Sequence, residues 1–203
     1  MTGGKAAIGA ADRRAGPGRP RSQEAEAAIL EATAHLLAEL GYGAVTTDKI
    51  AARARVSKST IYRRWPSKEH LAIAALGRSE PLKVAGKGNA LDQLVDVLLQ
   101  FAGLVRGTPL AGLLLTLLGE RVHNPTLAAE LDRVIEQRRW PVKAIVQRAV
   151  ERKELPAGTD IDMAVDLIMG PLVVRLFFLP GDVSRKAVRE MIRIALRGLG
   201  AEI

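Results

Sequence analysis

Between residues 41 and 70 the chain starts a helix three times in quick succession. Thr47, Ser57 and Ser67 each precede a helix-forming segment. A side-chain oxygen at such a position accepts from the free N–H groups of the first turn. The expected helices cover 48–53, 58–64 and 68–78, with Pro66 breaking the chain before the third. Ile50, Ala51, Ala54, Val56, Ile61 and Trp65 can form one apolar seam across the first two. Ala51 and Ala54 are small, so the two helices can approach closely around a tight turn at 54–57. That is the helix-turn-helix plan, whose second helix enters the major groove.

Helical geometry assigns the exposed face. With Ile61 in the core and about 100° per residue, Trp65 falls on the same side. Ser59 and Arg63 project away, Thr60 and Tyr62 lie on the flanks, and Lys58 stands in the first turn. These hydroxyls, phenol and guanidinium are groups that hydrogen-bond to base edges and phosphates. The segment carries no acid, whereas a merely solvated helix usually shows Glu. Across 41–70, Lys49, Arg53, Arg55, Lys58, Arg63, Arg64 and Lys68 face only Asp48 and Glu69. A basic cluster of this kind is the electrostatic footprint of a phosphate partner, or else a solvated face. The whole chain of 203 residues carries a net charge of +8.

The remainder reads as helix. Hydrophobic residues make up 48% of the chain, enough for a core, while aromatics are only 3%. That bias favours helices over sheets. Residues 1–21 are rich in Gly, Ala and Arg, with Pro17 and Pro20, and read as a flexible basic arm. Helix 1 is expected from about 23 to 40, stopped by Gly41. A linker containing Pro81, Gly86 and Gly88 follows helix 4. Five more helices are expected at 90–106, 109–122, 126–152, 161–179 and 184–200, with Pro141 kinking or dividing the third. The expected architecture is all-α with about nine helices. It comprises a helix-turn-helix domain at 22–68, a connecting helix and linker at 69–89, and a ligand-binding and dimerisation domain at 90–203.

Several function classes drop out. The chain has no Cys, so disulfides, thiol catalysis and Cys-ligated zinc are excluded. His35, His70 and His123 are far apart, and no phosphate-cradling loop or activated nucleophile is present. No enzyme activity, metal or cofactor is expected. The Asp160, Asp162 and Asp166 group reads as a helix cap and its solvated first turn. No apolar run reaches the roughly 18–20 residues that span a bilayer, and the N-terminus lacks an apolar signal core, so the cytoplasm is the expected location. Two classes remain: a DNA-binding regulator, and a helical ligand-binding protein whose basic patch serves another acidic partner.

The run Thr47-x-x-Ile50-Ala51, Val56-Ser57-Lys58-x-Thr60-x-Tyr62-Arg63 and Pro66-Ser67-Lys68-Glu69-x-Leu71 closely resembles the TetR family of repressors. Two positions depart from its pattern: Arg55 stands where the turn usually has Gly, and Trp65 where Phe is usual. The resemblance implies that Thr47, Tyr62 and Lys68 contact phosphates, and that Lys58, Ser59, Thr60 and Arg63 face the major groove. Many relatives carry a Gly-Arg-Pro-Arg arm, so Arg19 and Arg21 are expected in a narrow minor groove. The segments around 148–155 and 170–175 loosely resemble one TetR-type subgroup, without naming an effector.

A small apolar effector would sit among the helices of the second half. The apolar candidates are Phe101, Leu114, Leu117, Leu118, Ile145, Met169 and Phe177, and the polar ones are Gln100, Thr116, His123, Trp140 and Arg175. One reading head contacts only a few base pairs, so a homodimer on a palindromic operator is expected. The last two helices carry more apolar residues than one chain should bury, with Gly170, Val173, Phe177, Val188, Met191, Ile192, Ala195 and Leu199 assigned to the dimer interface.

Overall fold

The computed structural model describes residues 20–78, 81–84, 86–179 and 181–202. Among these residues the fold is all-α, with nine helices. Helix α1 (Pro20–Leu40) leads into three short helices, α2 (Thr47–Ala54), α3 (Lys58–Tyr62) and α4 (Lys68–Gly77). The second half comprises α5 (Ala90–Gly107), α6 (Leu110–Glu120), α7 (Pro125–Glu151), α8 (Ile161–Phe177) and α9 (Arg185–Gly198).

Helix α1 begins three residues earlier than its apolar stripe indicates. Proline suits a first helical position, where its missing N–H would have no partner anyway. The flexible arm therefore does not extend to residue 21: Arg21 lies in the first turn of α1. Arg19 and the rest of the arm lie outside the described residues. At the other end Gly41 takes φ 77° and its N–H donates to the Leu37 carbonyl, closing the helix.

The caps decide where the short helices start. Thr46, not Thr47, caps α2: it is extended and its hydroxyl accepts from the Lys49 N–H at 3.3 Å. Ser57 caps α3 through the Thr60 N–H, as expected. Between them Arg55 sits in the left-handed region at φ 54° and ψ 44°. This is the conformation that the glycine usual at this position adopts freely, and an L side chain there costs on the order of 1 kcal/mol. The seam closes as its sequence indicates. Ile50, Ala51 and Ile61 are buried, and Ala54, Val56 and Trp65 pack against the core.

In the second half α5 is the central post. Its buried stripe includes Leu91, Leu94, Val95, Leu98 and Val105, and it touches α6, α7, α8 and α9. Helix α7 runs unbroken through Pro141. Helix α6 lies against α1, where Gly112 makes close approach possible. A Cβ there would stand 2.9 Å from the Ala38 Cβ. Thr116 seals the same contact by donating to the Leu37 carbonyl at 3.3 Å. Helix α4 packs against α1, α6 and α7 and so joins the two halves. No single helix among the described residues is long and apolar enough to cross a membrane. The only pair that qualifies by composition, α5 with α6, is bent by 87°.

Candidate nucleic-acid interface and interior cavity

Helices α2 and α3 present a polar surface whose groups are mutually linked. Because Thr46 does the capping, the Thr47 hydroxyl is free to accept from the Tyr62 hydroxyl at 3.2 Å. Tyr62 is about half exposed. Ser57 lies 2.9 Å from the hydroxyls of both Ser59 and Thr60. Lys58 reaches back to Asp48 at 2.6 Å, and that hydrogen-bonded ion pair raises the lysine pKa. Arg63 is exposed at the C-terminus of α3; its backbone N–H donates to the Ser59 carbonyl, and its guanidinium makes no hydrogen bond or ion pair among the described residues. Its neighbour Arg64 turns the other way and pairs with Glu26 of α1 at 2.6 Å. Arg53 grips Glu39 of α1 through both guanidinium nitrogens. Two of the seven basic residues thus lock the reading helices to α1 instead of facing outward.

Lys68 is held by contacts within the protein. Its ammonium donates to the Tyr42 carbonyl at 2.8 Å and stands 3.9 Å above the Tyr42 ring. It ties the loop after α1 to the start of α4 by a hydrogen bond and a cation–π contact. Glu69 completes this joint. It accepts from the Tyr42 hydroxyl at 2.7 Å and meets the Asn124 amide at 3.5 Å, at the start of α7. Hydrogen bonds from Ser67 and then Tyr42 hold its carboxyl down at about 2. Burial, reinforced by Glu69, pushes the Tyr42 phenol above its ordinary range.

An apolar cavity of about 180 Å³ lies between α4, α5, α6, α7 and α8. Of the apolar candidates, Phe101, Leu114, Leu118, Met169 and Phe177 line it, while Leu117 and Ile145 are core residues beside it. None of the polar candidates does. Gln100 clamps the linker by bonding both the N–H and the carbonyl of Lys83. Thr116 faces α1. His123 is exposed after α6 and Trp140 is mostly exposed. Arg175 donates to the Asp182 carbonyl at 2.8 Å and packs on Gly181. Arg138 and Arg139 of α7 line it only through their carbon stems, and no polar surface opens into it. A signal for Arg138 exists in the sequence. It stands in the i, i+3/i+4 stripe of Leu131, Ile135, Val142 and Ile145, where an apolar residue belongs. A larger, more open recess of about 530 Å³ separates α1 and α4 from the α5–α6 junction, lined partly by Glu31, His35 and Arg78.

The interface assignments for α8 and α9 need correction. Val188 and Ile192 are fully buried within the protomer, on a helix that packs against α5 and α8. Val173 and Phe177 line the cavity, and Ala195 and Leu199 pack on the core. Gly170 and Met191 remain at the surface boundary, and the space above Gly170 is open. The exposed apolar residues of these helices are Met163, Leu167 and Val174 on α8 and Ile194 on α9. Among the acids, Asp160 caps α8, Asp162 pairs with Lys143 and Asp166 with Arg139. Among the described residues no group of side chains could hold a metal ion.

With this geometry in view, comparison with known proteins is decisive. Residues 29–75 match the family described as bacterial regulatory proteins, tetR family, and residues 84–195 match the tetracyclin repressor-like C-terminal domain. The chain belongs to the TetR family. The HTH-type transcriptional regulator YdeS of Bacillus subtilis is 33% identical over 195 residues, covering 91% of this chain and 94% of its own length. The crystal structure of the TetR family transcription regulator SCO0332 superposes with a TM-score of 0.66 at 27% identity, covering 86% of this chain and 98% of that one. FadR of Bacillus subtilis, solved in complex with stearoyl-CoA, shares the fold with a TM-score of 0.71 at 22% identity, over 85% of this chain and 98% of its own. This TetR-family protein is therefore a transcriptional regulator and not an enzyme.

Proposed function

We propose that this regulator is a homodimeric repressor that leaves a palindromic operator when a small, largely apolar effector enters the cavity. The observation that carries the reading is the polar face of α2 and α3. Thr47, Lys58, Ser59, Thr60, Tyr62 and Arg63 are wholly or partly exposed on it, and α3 contains no acid. The hydroxyls bond to one another, so each can exchange a neighbour for a phosphate or base edge at small net cost. Asp48 neutralises Lys58 in the free protein, and a phosphate can take its place.

Dimerisation is supported by the stripe Met163, Leu167, Gly170 and Val174, spaced at i, i+4, i+7 and i+11 on α8, with Ile194 on the adjoining α9. Four helices from two protomers would then pair about a two-fold axis. An obligate interface of this kind buries above about 2,000 Å² in total.

Release is supported by the walls of the cavity. Helix α6 lines it on one side and seats Gly112 and Thr116 on α1 on the other. An effector that prefers a different α4 and α6 position shifts the spacing of the two reading heads. A mobility-shift assay on DNA upstream of the protein's own gene tests the reading. A specific complex at moderate salt is expected. Absence of one would favour an acidic partner other than DNA.

A further inference from the structure

We infer that the interior cavity is a hydrocarbon site: it takes an uncharged molecule of one or two rings that carries no hydrogen-bonding group. This rests on the proposed effector role of the cavity and specifies the chemistry of the effector.

Every side chain on the wall presents carbon. Helix α6 supplies Leu114 and Leu118, and α8 supplies Met169 and Val173. All three phenylalanines of the chain, Phe101, Phe177 and Phe178, line this one cavity. Phe178 is two-thirds exposed and marks the mouth. The two arginines that border the space turn their charged ends elsewhere. One terminal nitrogen of Arg138 donates to the Leu76 carbonyl, and Arg139 pairs with Asp166 at 2.6 Å. A hydroxyl, amine or carboxylate carried inside gives up its water and finds no donor or acceptor in exchange. A hydrocarbon has nothing of the kind to lose. An apolar cavity of about 150 Å³ lined by Leu, Ile and Phe stays dry and accepts benzene. The cavity here measures about 180 Å³. One substituted ring, or two fused rings, therefore fills it.

The same wall supplies a route outward that needs no polar contact. Leu76 in the last turn of α4 and Leu110 at the start of α6 both line the cavity. Both helices pack on α1. Leu110 also lines the open recess of about 530 Å³ between α1, α4 and the α5–α6 junction. One leucine thus stands between the cavity and a space into which the start of α6 can move. A ring that fills the cavity presses on Leu76 and Leu110, the points where α4 and α6 meet it.

Calorimetric titration of the full chain, without DNA, tests this with p-xylene and naphthalene against hydroquinone and naphthalene-1,5-diol. The diols carry a hydroxyl at each end, so whichever end enters first, one hydroxyl is taken inside. At least one hydrocarbon should bind about tenfold or more tightly than its diol, a margin of the size set by one buried hydroxyl left without a partner. Leu114→Trp and Met169→Trp each fill the space, and each should abolish hydrocarbon binding in a chain that still melts cooperatively. If neither hydrocarbon binds, if a diol binds as tightly as its hydrocarbon, or if binding survives either substitution in a cooperatively melting variant, the assignment is overturned. A hydrocarbon that binds in the cavity without weakening a DNA complex upholds the ligand class and overturns only the proposed release.

Discussion

The reading head and the body of this regulator handle polar groups in opposite ways. On α2 and α3 the hydroxyls, Lys58 and Arg63 stay near water and are satisfied by one another, by Asp48 or by solvent. On α7 two guanidinium groups, Arg138 and Arg139, each keep a buried Nε without a hydrogen-bond partner, although Arg139 also pairs with Asp166. The first arrangement loses little by exchanging partners, so it suits a surface that docks and leaves a polyanion. The second fixes its charges against neighbouring helices, so it suits a part that keeps its shape. The contacts between the two regions, α6 on α1 and α4 on α7, are close-packed or hydrogen-bonded. A displacement of α4 or α6 would therefore meet α7 or α1 directly.

The sharpest way to break this contrast is at α9. Ile192→Asp places a carboxylate where no solvent reaches, and the chain should fail to fold. Ile194→Asp, at a side chain 64% exposed, should melt near the parent temperature but sediment as a monomer and lose operator binding. Equal damage from both would contradict the burial pattern.

Next in size is Arg63→Ala. Loss of its guanidinium should cost on the order of 1–3 kcal/mol of specific affinity and relax sequence preference, without altering the thermal melt. Unchanged selectivity in a competition assay would remove Arg63 from the groove.

A smaller effect belongs to the joint between the regions. The folded-state pKa of Glu69 is held at about 2, below the roughly 4.3 of a free glutamate. Its contribution to stability is complete above the unfolded value and is lost as pH falls through the folded one. Glu69→Gln should therefore flatten the decline in stability between about pH 4.5 and 2, read by urea denaturation across that window. An unaltered acid limb would mean the carboxylate contributes nothing there.

The smallest change is Arg55→Gly. It relieves the left-handed residue at φ 54° and should stabilise the protein by up to about 1 kcal/mol, with DNA binding unchanged. Destabilisation instead would show that the turn uses the Arg55 side chain.

These regions also differ in how far they could be read from the chain itself. The short helices, the Ser57 cap, the seam around Ile61 and the exposed Arg63 all follow from local chemistry. The error there was one residue, because tandem Thr46 and Thr47 offer two possible caps and only the backbone decides. The setting of Lys68 is hidden for a different reason. The Tyr42 ring and carbonyl that capture it are distant in sequence. In the body, α8 is apolar on every side. Val165, Ile168 and Leu172 face the core, Val173 and Phe177 the cavity, and Leu167 and Val174 the outside. No periodicity separates three apolar faces, so interface and cavity residues were interchanged. Polar residues embedded in apolar runs were equally ambiguous. Gln100 and Thr116 serve the linker and α1, and the arginines at the cavity, Arg138 and Arg139, line it only with their carbon stems.

The central claim is that two reading heads bind operator DNA in a fixed two-fold arrangement. Selection of bound sequences from a random duplex pool by the full chain tests it most directly. The account predicts enrichment of an inverted repeat whose half-sites are separated by about one helical turn, or a multiple of it, with enrichment lost in Arg63→Ala and in Ile194→Asp. Recovery of no common sequence, or of a single unrepeated half-site bound equally well by Ile194→Asp, would contradict it.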